Sequence, residues 1–259
     1  MIDLLEGEPQ GGLARWSPRL VPPIGVELTP IQALACAFRI LAATGFSENV
    51  AGHITSVDGP NGEMLVNPWG LWWEEICASD ICRVDANGKQ ISGRWDVTPA
   101  IHIHTELHRK RPDARVVVHN HPYNTTLLAA VGVLAEVFHQ TGALFDGDMC
   151  FIDEYEGEVD EDRKGAELAA EIGDKSVALL ANHGVIVTGT TMAEAIYRSA
   201  SFDRACRLTV DVSTLGRDAT TVRPRFRSAL KASLIERASD VYWAGAVRQL
   251  LRREPDVLE

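Results

Sequence analysis

The chain has 259 residues, 46% of them hydrophobic and 24% charged, enough for a buried core in one large domain or two small ones. With 36 acidic against 25 basic residues the net charge is −11, which argues against nucleic acid or an anionic membrane surface as a partner. No apolar run of about 18 residues suggests a membrane span, and the acidic start MIDLLEGEPQGG lacks the basic region of a secretory signal.

Residues 1–27 are rich in Gly and Pro and read as an irregular segment. A helix follows, with Thr29 as N-cap, Pro30 in the first turn and Gln32 completing a capping box. Its apolar face is Leu34, Phe38 and Leu41, and Gly45 ends it. AGHITSV (51–57), EMLVN (63–67) and ICRVD (81–85) read as strands, with DANGK as a hairpin-like turn. A second helix is expected from Thr98-Pro99 to Arg111, where Pro112 stops it. RVVVH (115–119) is a buried strand. The acidic stretch 153–162 reads as a solvated loop feeding a helix over about 161–172. SVALLAN (176–182) and VIVTG (185–189) are strands around a tight turn, in which Gly184 is expected to supply a positive φ. Thr191 and Glu194 open a long amphipathic helix, and another spans about 225–252. The pattern predicts one α/β domain with helices layered on a central sheet.

The five cysteines are scattered and odd in number, with no CxxC pair, so a reduced, cytoplasmic setting is expected. The histidines carry the chemistry. His119 and His121 close an apolar strand at i and i+2, so their rings share one face. Alone, such a pair is either half of a metal site or two hydrogen-bonded histidines. His183, at the tip of the NHG turn, is a third imidazole at the end of buried strands. His104 and His108 share a helix face, yet HTELH is not the HExxH of a zinc protease.

Taken in order, GHITSV, RPDARVVVHNHP and LLANHGVIVTGTTMAEA resemble the class II aldolase/adducin family over residues 28–215, with 216–259 left as a C-terminal helical extension. The resemblance implies an α/β/α sandwich around a mixed sheet, often assembled as a C4 homotetramer. It implies one divalent metal ion per subunit, zinc, manganese or iron, held by His119, His121 and His183. The sugar-phosphate aldolases of the family use a glutamate as acid/base where this chain has Ala100. Their phosphate-binding positions correspond to Gly52-His53, Trp69-Gly70 and Thr98-Pro99, which supply fewer donors, so a phosphorylated sugar is not expected.

Trp69, Trp72 and Trp73 read either as core or subunit packing, or as an apolar wall for a planar substrate. Gly52, His53, Trp69, Gly70 and Thr98 are the expected substrate contacts. His53 is a candidate substrate contact or proton donor, and Tyr242 a residue that could complete a neighbouring subunit's site. Loss of carbon dioxide needs no initiating base, whereas aldol cleavage does. The leading expectation is therefore a decarboxylase of a hydroxylated carboxylic acid, working through a metal-stabilised enolate. Some family members decarboxylate hydroxylated aromatic or pyridine carboxylic acids, and GHITSV is similar to that branch. The alternatives are an aldolase for an unphosphorylated hydroxy-keto substrate, a non-catalytic adducin-like module and, as a minor option, an iron-dependent oxygenase.

Overall fold

The protein is described from a computed structural model covering residues 20–153, 159 and 161–259. Most of the expected irregular segment, and positions 154–158 and 160 of the acidic loop, lie outside the described residues; 20–27 hold no helix or strand.

Helix α1 (Pro30–Ala43) begins on the capping box read from the sequence. The Gln32 N–H donates to Thr29 Oγ1 at 3.3 Å, and the Thr29 N–H donates to Gln32 Oε1 at 3.1 Å. Strands β1 (His53–Val57), β2 (Met64–Val66), β3 (Cys82–Val84) and β4 (Gln90–Ser92) follow as a meander. Thr98 caps a 3-10 turn, Pro99–Ile101, that runs into α2 (His102–Lys110). Strand β5 (Val116–Asn120) leads directly into α3 (Tyr123–Val131). Then come β6 (Met149–Ile152), α4 (Asp162–Ile172), β7 (Val177–Leu180), β8 (Val185–Gly189), α5 (Met192–Thr214) and α6 (Pro224–Arg253).

The eight strands form one mixed sheet in the order β4-β3-β2-β1-β5-β8-β7-β6, in which β6 and β7 are parallel and every other pair antiparallel. Alternation along the central strands sorts the side chains between two layers. Val116 and Val118 of β5, Val177 and Leu179 of β7, and Val185 and Val187 of β8 join the core under α1, α3, α5 and α6. Val117, Ala178, Leu180 and Ile186 face the opposite way, against α2 and α4. The architecture is thus a single-domain α/β/α sandwich. Each fully buried valine, leucine or isoleucine contributes roughly 1.5–3 kcal/mol, so a one-residue slip of β5 would be prohibitive.

Helix α6 sends Val247 and Leu250 into the first of these cores. The chain end is tied down by Arg39, buried in α1, which donates to the Ile76 carbonyl at 2.9 Å and pairs with Asp256 at 2.8 Å. No described helix is long and apolar enough to cross a membrane.

A histidine cluster as candidate metal centre

Strand β5 is buried at all five positions. Since Val116 and Val118 face α1, the side chain of His119 emerges on the α2 side of the sheet. Register places His53 of β1 directly opposite it, with ring centroids 5.1 Å apart. His121, one pleat further on, lies 5.1 Å from His119. The turn between β7 and β8 brings His183 to 4.5 Å from His121 and 4.9 Å from His119, centroid to centroid. One nitrogen from each of His119, His121 and His183 falls within 4.8 Å of the others, a grouping of three imidazoles of the kind that holds a metal ion.

The turn achieves this differently from expectation. The left-handed residue is Asn182, with φ 53°, and not Gly184. Glycine is required at 184 because a Cβ there would stand 2.4 Å from the Asn120 carbonyl oxygen and 2.6 Å from His121 Cδ2. Its role is close approach, which holds the turn against the end of β5.

Hydrogen bonds fix how the rings present their nitrogens. His119 Nδ1 donates to the Val185 carbonyl at 3.0 Å, and His121 Nδ1 donates to Glu48 Oε2 at 2.6 Å. In the neutral form this leaves each ring with an Nε2 lone pair. Nε2 of His121 is buried and has no hydrogen-bond partner among the described residues, a cost of about 1–3 kcal/mol that a cation would remove. Burial, then the neighbouring His53, His183, His121 and His104, holds the His119 imidazole well below its usual pKa. His183 is pushed down to about 4 by burial and then by His121. Neutral imidazole is the ligand form, and imidazole suits zinc and iron. The residues present fit a divalent metal.

Glu48 escaped the sequence reading. It lies 73 positions before His121, in a turn closed by a Glu48–Ala51 bridge, and no local spacing links it to β5.

Gly52 belongs to the same end of the sheet. Its φ is 83°, and a Cβ would meet the Asn120 side chain at 2.6 Å and the His119 carbonyl oxygen at 2.8 Å. Its own carbonyl accepts from Asn67 Nδ2 at 3.2 Å and Trp73 Nε1 at 3.4 Å. Trp73 is fully buried, edge-on to Phe38 at 5.0 Å, so of the two readings of the tryptophans core packing holds for this one. Trp69 and Trp72 are exposed instead, and Gly70 lies on the same exposed turn. The Thr98 hydroxyl is committed to capping, accepting from the Ala100 N–H at 3.2 Å. Tyr242 packs beside Tyr197, ring centroids 5.3 Å apart, in the α5–α6 layer across the sheet from His53. Within one chain it does not join the histidines. His102 pairs with Asp162 at 2.7 Å, away from the cluster.

Comparison with known proteins adds an independent line. The family profile described as Class II Aldolase and Adducin N-terminal domain matches residues 32–210. The chain is 32% identical over 199 residues to an adducin-related protein of Schizosaccharomyces pombe, covering 70% of this chain and 58% of that protein. It is 29% identical over 198 residues to a 3,4-dihydroxyphthalate decarboxylase of Arthrobacter keyseri, covering 71% of this chain and 79% of that one. A crystal structure of an aldolase II superfamily protein from Pseudomonas syringae superposes with a TM-score of 0.79 at 25% identity, over 89% of this chain and 97% of the other.

Proposed function

Because the chain belongs to the class II aldolase and adducin family, we propose that it is a metal-dependent carbon–carbon lyase that releases carbon dioxide from a hydroxylated carboxylic acid. The observation that carries this reading is the convergence of three imidazoles, with Ala100 where the aldolase acid/base would stand. His119, His121 and His183 would hold one divalent ion, zinc, manganese or iron. When bound, such an ion supplies a Lewis acid for negative charge developing on substrate oxygens.

The chain's own groups do the rest. Val185 and Glu48 orient His119 and His121. His53, almost buried beside His119, contacts the substrate. Gly52, Gly70 and Thr98 shape the approach, and exposed Trp69 offers an apolar surface to a planar acid. A C4 tetramer is part of the proposal. Tyr123, Leu127 and Val131 form an exposed apolar stripe on α3 at i, i+4 and i+8, which supports association. In such an assembly Tyr242 would serve a neighbouring subunit's site. Five free cysteines and the acidic balance support a cytoplasmic setting.

Aldol cleavage of an unphosphorylated substrate is the second reading, and Glu48 is the observation in its favour, a carboxylate in contact with His121. The two separate by product. Purified protein supplied with zinc, manganese or iron(II) is screened against hydroxylated benzoic and pyridine carboxylic acids and against hydroxy-keto acids. Carbon dioxide supports the first reading and an aldehyde product the second. A protein that binds no metal and turns over neither class contradicts both and leaves an adducin-like interaction module.

A further inference from the structure

The imidazoles do not stop at the metal centre. His53 Nδ1 lies 2.8 Å from His104 Nε2, and His104 Nδ1 lies 2.7 Å from Thr55 Oγ1. The same hydroxyl lies 2.8 Å from His108 Nε2, and His108 Nδ1 lies 2.5 Å from the Ala114 carbonyl oxygen. The sheet and one helix build this line: His53 and Thr55 share a face of β1, and His104 and His108 share a face of α2.

Its direction follows from counting protons. A carbonyl oxygen can only accept, so His108 Nδ1 carries a hydrogen. A neutral His108 then accepts at Nε2, and the only hydrogen available is that of the Thr55 hydroxyl. Having given its one proton to His108, Thr55 can only accept from His104, which places a hydrogen on His104 Nδ1. His104 Nε2 is then an acceptor, so His53 donates through Nδ1, and its Nε2 is left with a lone pair. The neutrality assumed at each step has a physical cause. No carboxylate is among these partners, His53 is itself buried, and burial pushes His108 to about 4 and His104 well below the usual range.

We propose that Thr55, His104 and His108 are positioning residues whose hydrogen bonds, anchored on the Ala114 carbonyl, lock His53 as the Nδ1–H tautomer with Nε2 as acceptor. His53 therefore meets a ligand by accepting a hydrogen bond. The proton-donating role considered for it from sequence is replaced by recognition of a hydroxyl group. That consequence for the substrate rests on the function proposed above; the tautomer order does not.

Long-range proton–nitrogen correlation spectra of the full chain labelled with 15N-histidine, recorded without turnover and with and without zinc, test it directly. Resonances are assigned through His104→Gln and His108→Gln. His53, His104 and His108 are each expected as the Nδ1–H tautomer, alongside His119 and His121, which donate through Nδ1 to Val185 and Glu48. Thr55→Ser retains the pattern. Thr55→Val loses it at His104 and His53, while His119, held by the Val185 carbonyl, stays Nδ1–H and reports an intact sheet. A wild-type His53 or His104 protonated at Nε2 overturns the proposal, as does a Thr55→Val protein whose His104 is unchanged. Neither result depends on which reaction the site performs.

Discussion

Glu48 is half-exposed, yet its contact with His121 reaches into the centre of the site. A carboxylate that accepts from a ligand's second nitrogen raises the basicity of the first and fixes the ring. Glu48→Gln is expected to weaken zinc binding about 10–100-fold, read by competition with a chelator. Unchanged affinity would mean that the contact is incidental. Ala100 makes the opposite argument, because the position lacks a proton acceptor. Ala100→Glu is expected to leave turnover of the native substrate no higher than wild type in a carbon dioxide assay. A large gain would indicate that a base at this position limits the reaction, as in aldol cleavage.

At the scale of elements, the turn between β7 and β8 decides whether His183 meets the other two imidazoles. Gly184→Ala would drive a methyl group into the Asn120 carbonyl and the His121 ring. Overpacking of this kind costs roughly 1–3 kcal/mol, measurable by urea unfolding, and zinc affinity is expected to fall with it. Stability and affinity both at wild-type levels would show that the approach has slack.

The same turn illustrates what could be read from sequence. That a glycine was needed was legible, because the segment is short and sits between two apolar strands. The reason was not, since it depends on β5 lying alongside. Helix α1 was legible down to its capping box, because capping is local chemistry. Helix α3 went unread because YNTTLLAAV has no side-chain cap and its apolar residues fall on both its buried and its exposed sides, and β6 was not read either. Spacing put His119 and His121 on one face, but their reading as metal ligands together with His183 came from the family resemblance. Glu48, Thr55 and the burial of Trp73 arise only from the pairing of distant strands and from packing on α1.

For the whole molecule, burying neutral histidines makes stability depend on pH. The His108 imidazole falls from 6.5 in the unfolded chain to about 4 when folded, because burial disfavours its charged form. The unfolded state then binds the extra proton, so this contribution is fully present above pH 6.5 and is lost as pH falls toward about 4. It amounts to at most about 3 kcal/mol, and His104, shifted the same way, adds to it. Urea unfolding is expected to show lower stability at pH 5 than at pH 7.5, with a shallower decline in His108→Gln. Equal slopes in the two proteins would contradict a buried neutral His108.

The functional expectations depend on whether the end of β5 and the neighbouring β7–β8 turn, at one end of the sheet, hold a single cation between them. The measurement is the zinc content of the purified 259-residue protein and of His119→Ala after metal loading and gel filtration, with circular dichroism as the control for folding. One ion per chain in the wild type, and none in a variant of unchanged secondary structure, is the predicted result. A wild-type protein that takes up no metal, or a variant that retains it in full, would contradict the account.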